Sequence, residues 1–402
     1  KSALPANRRR LPQAIARVNC LSRVTLASLA LATPLHAEPI SDERFQTIAG
    51  ETFRPIIEEY NLPGIAIGAS LDGQNYFFTA GVADQANAAP VTSQTLFELG
   101  SISKLFNVTL AAWLDAEGAL SLETVVSDLV PELQGSAFDR IELEDLAAHA
   151  NGGLPLQVPE SIKNQADLIQ WLSDWKTEGD PTSLRSYSNI SIGLLGRISG
   201  AQCCASYEAA LAERLLPALG LKNTFITVPS RKLSRYAFGY AQGSDAPIRV
   251  NPGMLDAEAY GVKSSVTDMV RFIDAHLGRT QVSDTIVAAL VRTRQASYDT
   301  AYFAQAMIWE EYPWPVDRAQ LSAGNGNDMI LSAQPITTRD GPVIGPTLFS
   351  KTGSTNGFGA YIAVVPSEDI GIVVLANRRY PNAVRAVATL TLMQGLLAEK
   401  SD

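Results

Sequence analysis

The sequence predicts an α+β fold: an antiparallel sheet flanked by helices, built from both ends of the chain, with a mainly helical region inserted between them. Three observations carry this prediction. Near the N-terminus, GIAIGASL and NYFFTAGVA flank Asp72-Gly73, the signature of a tight hairpin. Near the C-terminus, PTLFSKTGS, GFGAYIAVVP and GIVVLANR are short, apolar and separated by turn formers such as Pro366-Ser367-Glu368-Asp369. Between about 119 and 300, LIQWLSDW, ISIGLLGRI, YEAALAERLLPALGL and VTDMVRFIDAHL repeat apolar residues three and four apart, the helical spacing.

Taken in order, residues 1–37 read as a secretory signal peptide. Arg8, Arg9, Arg10, Arg17 and Arg23 precede VTLASLALATPLHA, an apolar run ending in small residues and too short to remain as a membrane span. Cleavage is expected before Glu38, with a periplasmic mature protein and no stable membrane anchor. Ser41 followed by Asp42 and Glu43 opens a helix whose apolar positions include Phe45, Ile48, Phe53, Ile56 and Tyr60, and Leu62-Pro63-Gly64 stops it. The hairpin follows, and a helix then starts near Gly100–Ser101. Residues 38–118 and 304–402 are expected to form the sheet domain and 119–303 the helical one, with Asn382 capping a last helix that runs to about Lys400.

At 402 residues and 46% hydrophobic content the chain can bury a large core, and 18% charged residues without long charge runs argue against disorder. Removing residues 1–37 takes six basic residues and no acid, leaving 26 basic against 41 acidic and a net charge near −15. That balance argues against nucleic-acid binding. Cys203 and Cys204 are adjacent, so no structural disulfide is expected. His149 and His276 stand far apart with no HxH or HExxH spacing, which argues against a histidine-based metal site.

Three short motifs carry chemistry. In FELGSISKLF, Ser101 and Lys104 lie one helical turn apart, so an ammonium stands beside a hydroxyl at a helix start. This suits a serine nucleophile with a lysine proton partner, although an N-cap serine and an exposed lysine have the same spacing. In RSYSNISIGLLG, Tyr187 can act as general base if neighbouring cations lower its pKa, and Asn189 can orient Lys104 and hold a substrate amide. A tyrosine packed on a helix start is the alternative. In SKTGSTNGFGAYIAVV, Lys351 supplies a second positive charge on a strand. The small Gly353 lets a substrate lie alongside as an added strand, and the N–H of Ser354, paired with that of Ser101, forms an oxyanion hole. A solvated edge-strand lysine remains the alternative there.

In this order the motifs are those of the penicillin-recognising serine hydrolases, and the chain resembles a class C serine β-lactamase, a cephalosporinase. FELGSISK, GGLPLQVPE, RSYSNISIGLLG, NPGMLDAEAYGVKSS, SKTGSTNGFGAYIAVVP and LANRRYPNAVR carry the resemblance across about 42–398. It implies a β-lactamase/DD-peptidase-like fold, a monomer acting on small β-lactams, and no cofactor. It also implies Ser101 as the acylated nucleophile, Lys104 and Tyr187 as its proton-handling partners, and Gln157 and Asn189 at the amide side chain of the drug. Tyr260 would line the side-chain pocket. Lys351, Thr352, Asn382 and Arg385 would serve the substrate carboxylate. DD-peptidases and small-ester hydrolases use the same scaffold and the same three groups. The chain departs from the family pattern at Ser350, where histidine is common, at Arg379, where a smaller polar residue is frequent, in AMIWEEYPWP and over 280–305.

Overall fold

A computed structural model describes residues 39–400; the expected signal peptide lies outside the described residues. Helix α1 (Asp42–Glu59) begins where Ser41 Oγ accepts the Arg44 N–H at 3.1 Å. Strands β1 (Gly64–Leu71) and β2 (Gln74–Asp84) follow, joined by Asp72 and Gly73, both in the left-handed region, so the Asp-Gly pair makes the predicted two-residue turn. A 3-10 turn (Gly100–Ile102) leads into α2 (Ser103–Ala116). Further along the chain come α3 (Asn189–Cys203) and α4 (Val266–His276). The chain rejoins the sheet with the two-residue strands Tyr298–Asp299 and Ala304–Gln305, continues through β3 (Glu310–Pro313), β4 (Thr347–Ser354), β5 (Gly359–Val365) and β6 (Ile370–Ala376), and ends in α5 (Asn382–Glu399).

Among the described residues, ten strands form one sheet in the order Thr337–Thr338, Tyr298–Asp299, Ala304–Gln305, β3, β4, β5, β6, β1, β2, Ala89–Pro90, with antiparallel neighbours throughout. The N-terminal hairpin therefore docks on the last strand, with Ile65 opposite Ala376. Every residue of β1 is buried, because helices cover both faces. Ile65, Ile67 and Ala69 pack with Phe45 and Phe53 of α1 and Met393 of α5. Across the sheet, Gly68 and Gly371 leave room for α4: a Cβ on either would overlap Val270 or Ile273. GIAIGASL thus encodes a bulky face and a smooth face in one strand.

Three details differ from expectation. Asn382 is the first residue of α5, and Pro381, with extended backbone (ψ 137°), occupies the flanking position, so Asn382 is not the cap. The helix after Gly100 opens with a 3-10 turn, and its α-helical part starts at Ser103. Gly353 owes its small size to its inner side: a Cβ there would collide with the Leu99 carbonyl, and one on Gly100, whose φ is +54°, would collide with the Ser354 backbone. The two glycines let β4 press against the turn that carries Ser101. Cys203 and Cys204 are unbridged thiols.

Replacing Gly353 by Ala is expected to destabilise the protein by about 2–3 kcal/mol through overpacking. Denaturant unfolding checks this, and an unchanged midpoint would contradict the packing described.

Candidate active site

Ser101 sits at the rim of a cavity of about 570 Å³, where the 3-10 turn meets β4. One turn later Lys104 is completely buried. Its Nζ lies 3.0 Å from Ser101 Oγ, 2.7 Å from Asn189 Oδ1 and 2.8 Å from the Ala259 carbonyl. The last two oxygens only accept, so they hold two of the lysine protons, and the third position faces the serine. Asn107 fixes this arrangement from below by donating to the Ile192 and Glu258 carbonyls, which ties α2 to α3 and to the turn bearing Ala259.

Tyr187 precedes α3 by two residues and lies at the cavity wall. The Lys104 and Lys351 ammoniums each stand 5.1 Å from its ring centre, and the Arg185 guanidinium carbon 5.5 Å. Burial alone pushes a phenol up. Here the attraction of Lys104 and then Lys351, helped by the Ser101 hydroxyl, outweighs it and brings Tyr187 down to about 8. Burial lowers Lys104 to about 8 against the pull of Tyr187. The two groups therefore titrate as one coupled pair. Lys104 faces two fixed acceptors, which favour its charged form, and its charge in turn favours ionisation of Tyr187.

Lys351 is the second source of positive charge, but it does not line the cavity. It is 1% exposed and pairs with Glu310 Oε1 at 3.2 Å. Burial works against its charge, yet Glu310 and Tyr187 more than compensate and hold its pKa raised. Its ammonium stands 5.1 Å from the centre of the Tyr187 ring. The Glu310 contact follows from register, since β3 carries Glu310 opposite Ser350. That pairing stops at Ser350, so β4 from Lys351 onward leaves β3 and offers a strand edge beside Ser101.

Arg385 also departs from expectation. Its guanidinium is fully buried beneath β4 and does not line the cavity. It donates to the Gly353 carbonyl at 2.7 Å, the Ser354 hydroxyl at 3.0 Å and the Tyr380 carbonyl. It therefore shapes the strand that a substrate would meet and makes no contact with the cavity itself. The exposed cation on that side is Arg379, which lines the cavity with Asn382 and Thr352.

Gln157, Asn189, Tyr260, Gly353 and Ser354 also line the cavity, so the predicted residues converge with the exceptions of Lys104, Lys351 and Arg385, which lie behind its wall. Sequence reasoning missed Glu98, buried beside the site. Its Oε1 accepts from Tyr236 Oη at 2.6 Å and the Val250 N–H at 2.7 Å, and its Oε2 from Thr355 Oγ1 at 2.6 Å. It clamps the loop bearing Ile248–Asn251 to the end of β4. Glu310 and Arg185 escape sequence reasoning too, although WEEYP and RSYSN contain them.

The Beta-lactamase family profile matches residues 49–396. A β-lactamase of Psychrobacter immobilis is 38% identical over 376 residues, 93% of each chain. Among solved structures, a β-lactamase from Sulfitobacter sp. EE-36 is 49% identical with TM-score 0.87, covering 89% of this chain and 99% of that one. A class C β-lactamase from Rhodobacter sphaeroides is 49% identical with TM-score 0.85, over 87% and 99%. The chain belongs to the β-lactamase family and is a serine β-lactamase of class C type.

The electrostatics make a pH prediction. If Tyr187 accepts the serine proton, kcat/KM is expected to fall as pH drops through the pKa of the pair, about 8. Lys351→Met removes a cation that favours the phenolate and raises that pKa, so the acid limb moves up by about 1 unit. A pH–rate profile of the variant with an unmoved limb contradicts the arrangement.

Proposed function

We propose that the protein opens the β-lactam ring of cephalosporins, and of some penicillins, through an acyl-enzyme on Ser101. The observation that carries this reading is the set of contacts around Ser101: a lysine at 3.0 Å with two protons held by fixed acceptors, and a phenol whose pKa is brought to about 8. The Tyr187 phenolate, supported by Lys104, takes the Ser101 proton as Oγ adds to the lactam carbonyl. The N–H groups of Ser101 and Ser354 receive the oxyanion. As the carbon–nitrogen bond breaks, the phenol returns its proton to the leaving nitrogen. Water then attacks the ester with Tyr187 again as base, and Ser101 leaves with the proton.

Gln157 and Asn189 hold the amide side chain of the drug, and Tyr260 borders it. Thr352, Asn382 and the exposed Arg379 face its carboxylate, while Arg385 supports them through β4. The enzyme works as a monomer in the periplasm after loss of residues 1–37 and protects the exporting cell from these antibiotics. No helix among the described residues is long and apolar enough to cross a membrane.

Hydrolysis of a chromogenic cephalosporin by the chain from Glu38 tests the reading. Wild type is expected to turn over, and Ser101→Gly to lose at least about 10³-fold in kcat. A wild type that traps the drug as a stable acyl-enzyme without turnover would place the protein with the DD-peptidases. Arg379→Asn is expected to raise KM about fivefold with kcat nearly unchanged, and to flatten the salt dependence of kcat/KM. An unchanged KM makes Arg379 a bystander.

A further inference from the structure

Tyr187 is also gripped from a side that the catalytic scheme does not use. His149 lies two residues beyond the short helix Leu143–Ala147 and is almost fully buried. Its φ is +60°, a left-handed backbone that few non-glycine residues adopt, though histidine does so more readily than most. Its carbonyl accepts the Ser186 N–H at 2.9 Å, and its Nδ1 accepts the Ser188 N–H at 3.3 Å. Its ring lies against the Tyr187 ring, with centres 4.4 Å apart and planes inclined by 43°. One residue thus holds the backbone before and after Tyr187 and covers the phenol between them.

We propose, on the reading that Tyr187 is the general base, that neutral His149 is a positioning residue that keeps the phenolic oxygen aimed at Ser101. The hydrogen bond from Ser188 requires an unprotonated Nδ1, which puts the proton on Nε2. That nitrogen is buried without a partner among the described residues, so the contact with Ser188 is the single polar use of the ring. A core residue needed only to fill space would require neither the nitrogen nor the left-handed backbone. Protonation would turn the Ser188 contact into two opposed N–H groups. Burial, followed by Arg185, Lys104 and Lys351, holds the His149 pKa well below its ordinary value. Asp145, in the helix just before His149, accepts from Tyr298 Oη at 2.6 Å, and the carboxylate of Glu310 is paired with Lys351. The neutral imidazole that the Ser188 contact requires is therefore the favoured form. The grip is also anchored, because Ser191 Oγ donates to the Leu146 carbonyl and ties the start of α3 to the helix that presents His149.

Two variants separate the grip from mere packing. His149→Phe keeps a ring on Tyr187 and removes the acceptor. His149→Asn keeps an acceptor at the position of Nδ1 and tolerates the left-handed backbone, but removes the ring. For the Phe variant kcat is expected to fall about tenfold with KM within about twofold, because a misaimed base hurts the chemical step more than binding. Its acid limb moves up by about half a unit as the phenol drifts from its cations. The Asn variant stays nearer wild type in both measures. Wild-type kcat and an unmoved limb in the Phe variant, whatever its melting temperature, would overturn the inference. Wild-type turnover in the same assay keeps that result distinct from failure of the β-lactamase reading.

Discussion

The arrangement that the rest of the site depends on is a crowd of buried cations around one phenol. Lys104, Lys351 and Arg185 all face the Tyr187 ring within 5.5 Å, and one carboxylate, Glu310, stands among them. Two buried ammoniums and a guanidinium repel one another, and burial penalises each. A negative charge on Tyr187 relieves that repulsion. Ionisation of Tyr187 is therefore favoured, and the lowering of its pKa to about 8 is a consequence of how the fold places its lysines.

The fold supplies this placement by joining distant parts of the chain. Ser101 comes from the 3-10 turn before α2, Lys104 from the first turn of α2, Tyr187 from the approach to α3 and Lys351 from β4, which lies between β3 and β5 in the sheet. Each junction is fixed by specific contacts. Gly100 and Gly353 let the serine turn and β4 touch, Asn107 locks α2 to α3, and Arg385 braces β4 from beneath through backbone carbonyls. Rigid elements carrying preorganised charge are what acyl transfer requires, since a catalytic group misplaced by about 1 Å costs orders of magnitude in rate.

Much of this was legible in the sequence because it rests on local patterns. The Asp72-Gly73 turn, the Ser41 cap and the helical periodicity of α4 declare themselves within a few residues. The site motifs were legible in kind, as Ser101-Lys104, Tyr187-Asn189 and Lys351-Thr352-Gly353 each carry a chemical role at fixed spacing. What escaped was set by register and long-range packing. Glu310 meets Lys351 only because β3 and β4 pair at that offset, and no local signal shows it. Arg385 looked like a pocket cation, but its side chain turns beneath the strand toward carbonyl oxygens. Glu98 and His149 hold partners far away in the chain, so their neighbours in sequence give no hint of their contacts.

The central claim is that Tyr187 ionises far more easily than an ordinary tyrosine because Lys104 and Lys351 surround it. Carbon-13 labelling of the tyrosine ring, with the Tyr187 signal assigned by Tyr187→Phe and followed by NMR across pH, measures this directly. The account predicts a transition near pH 8. A Tyr187 signal that stays protonated up to the ordinary tyrosine range, about 10, would contradict it.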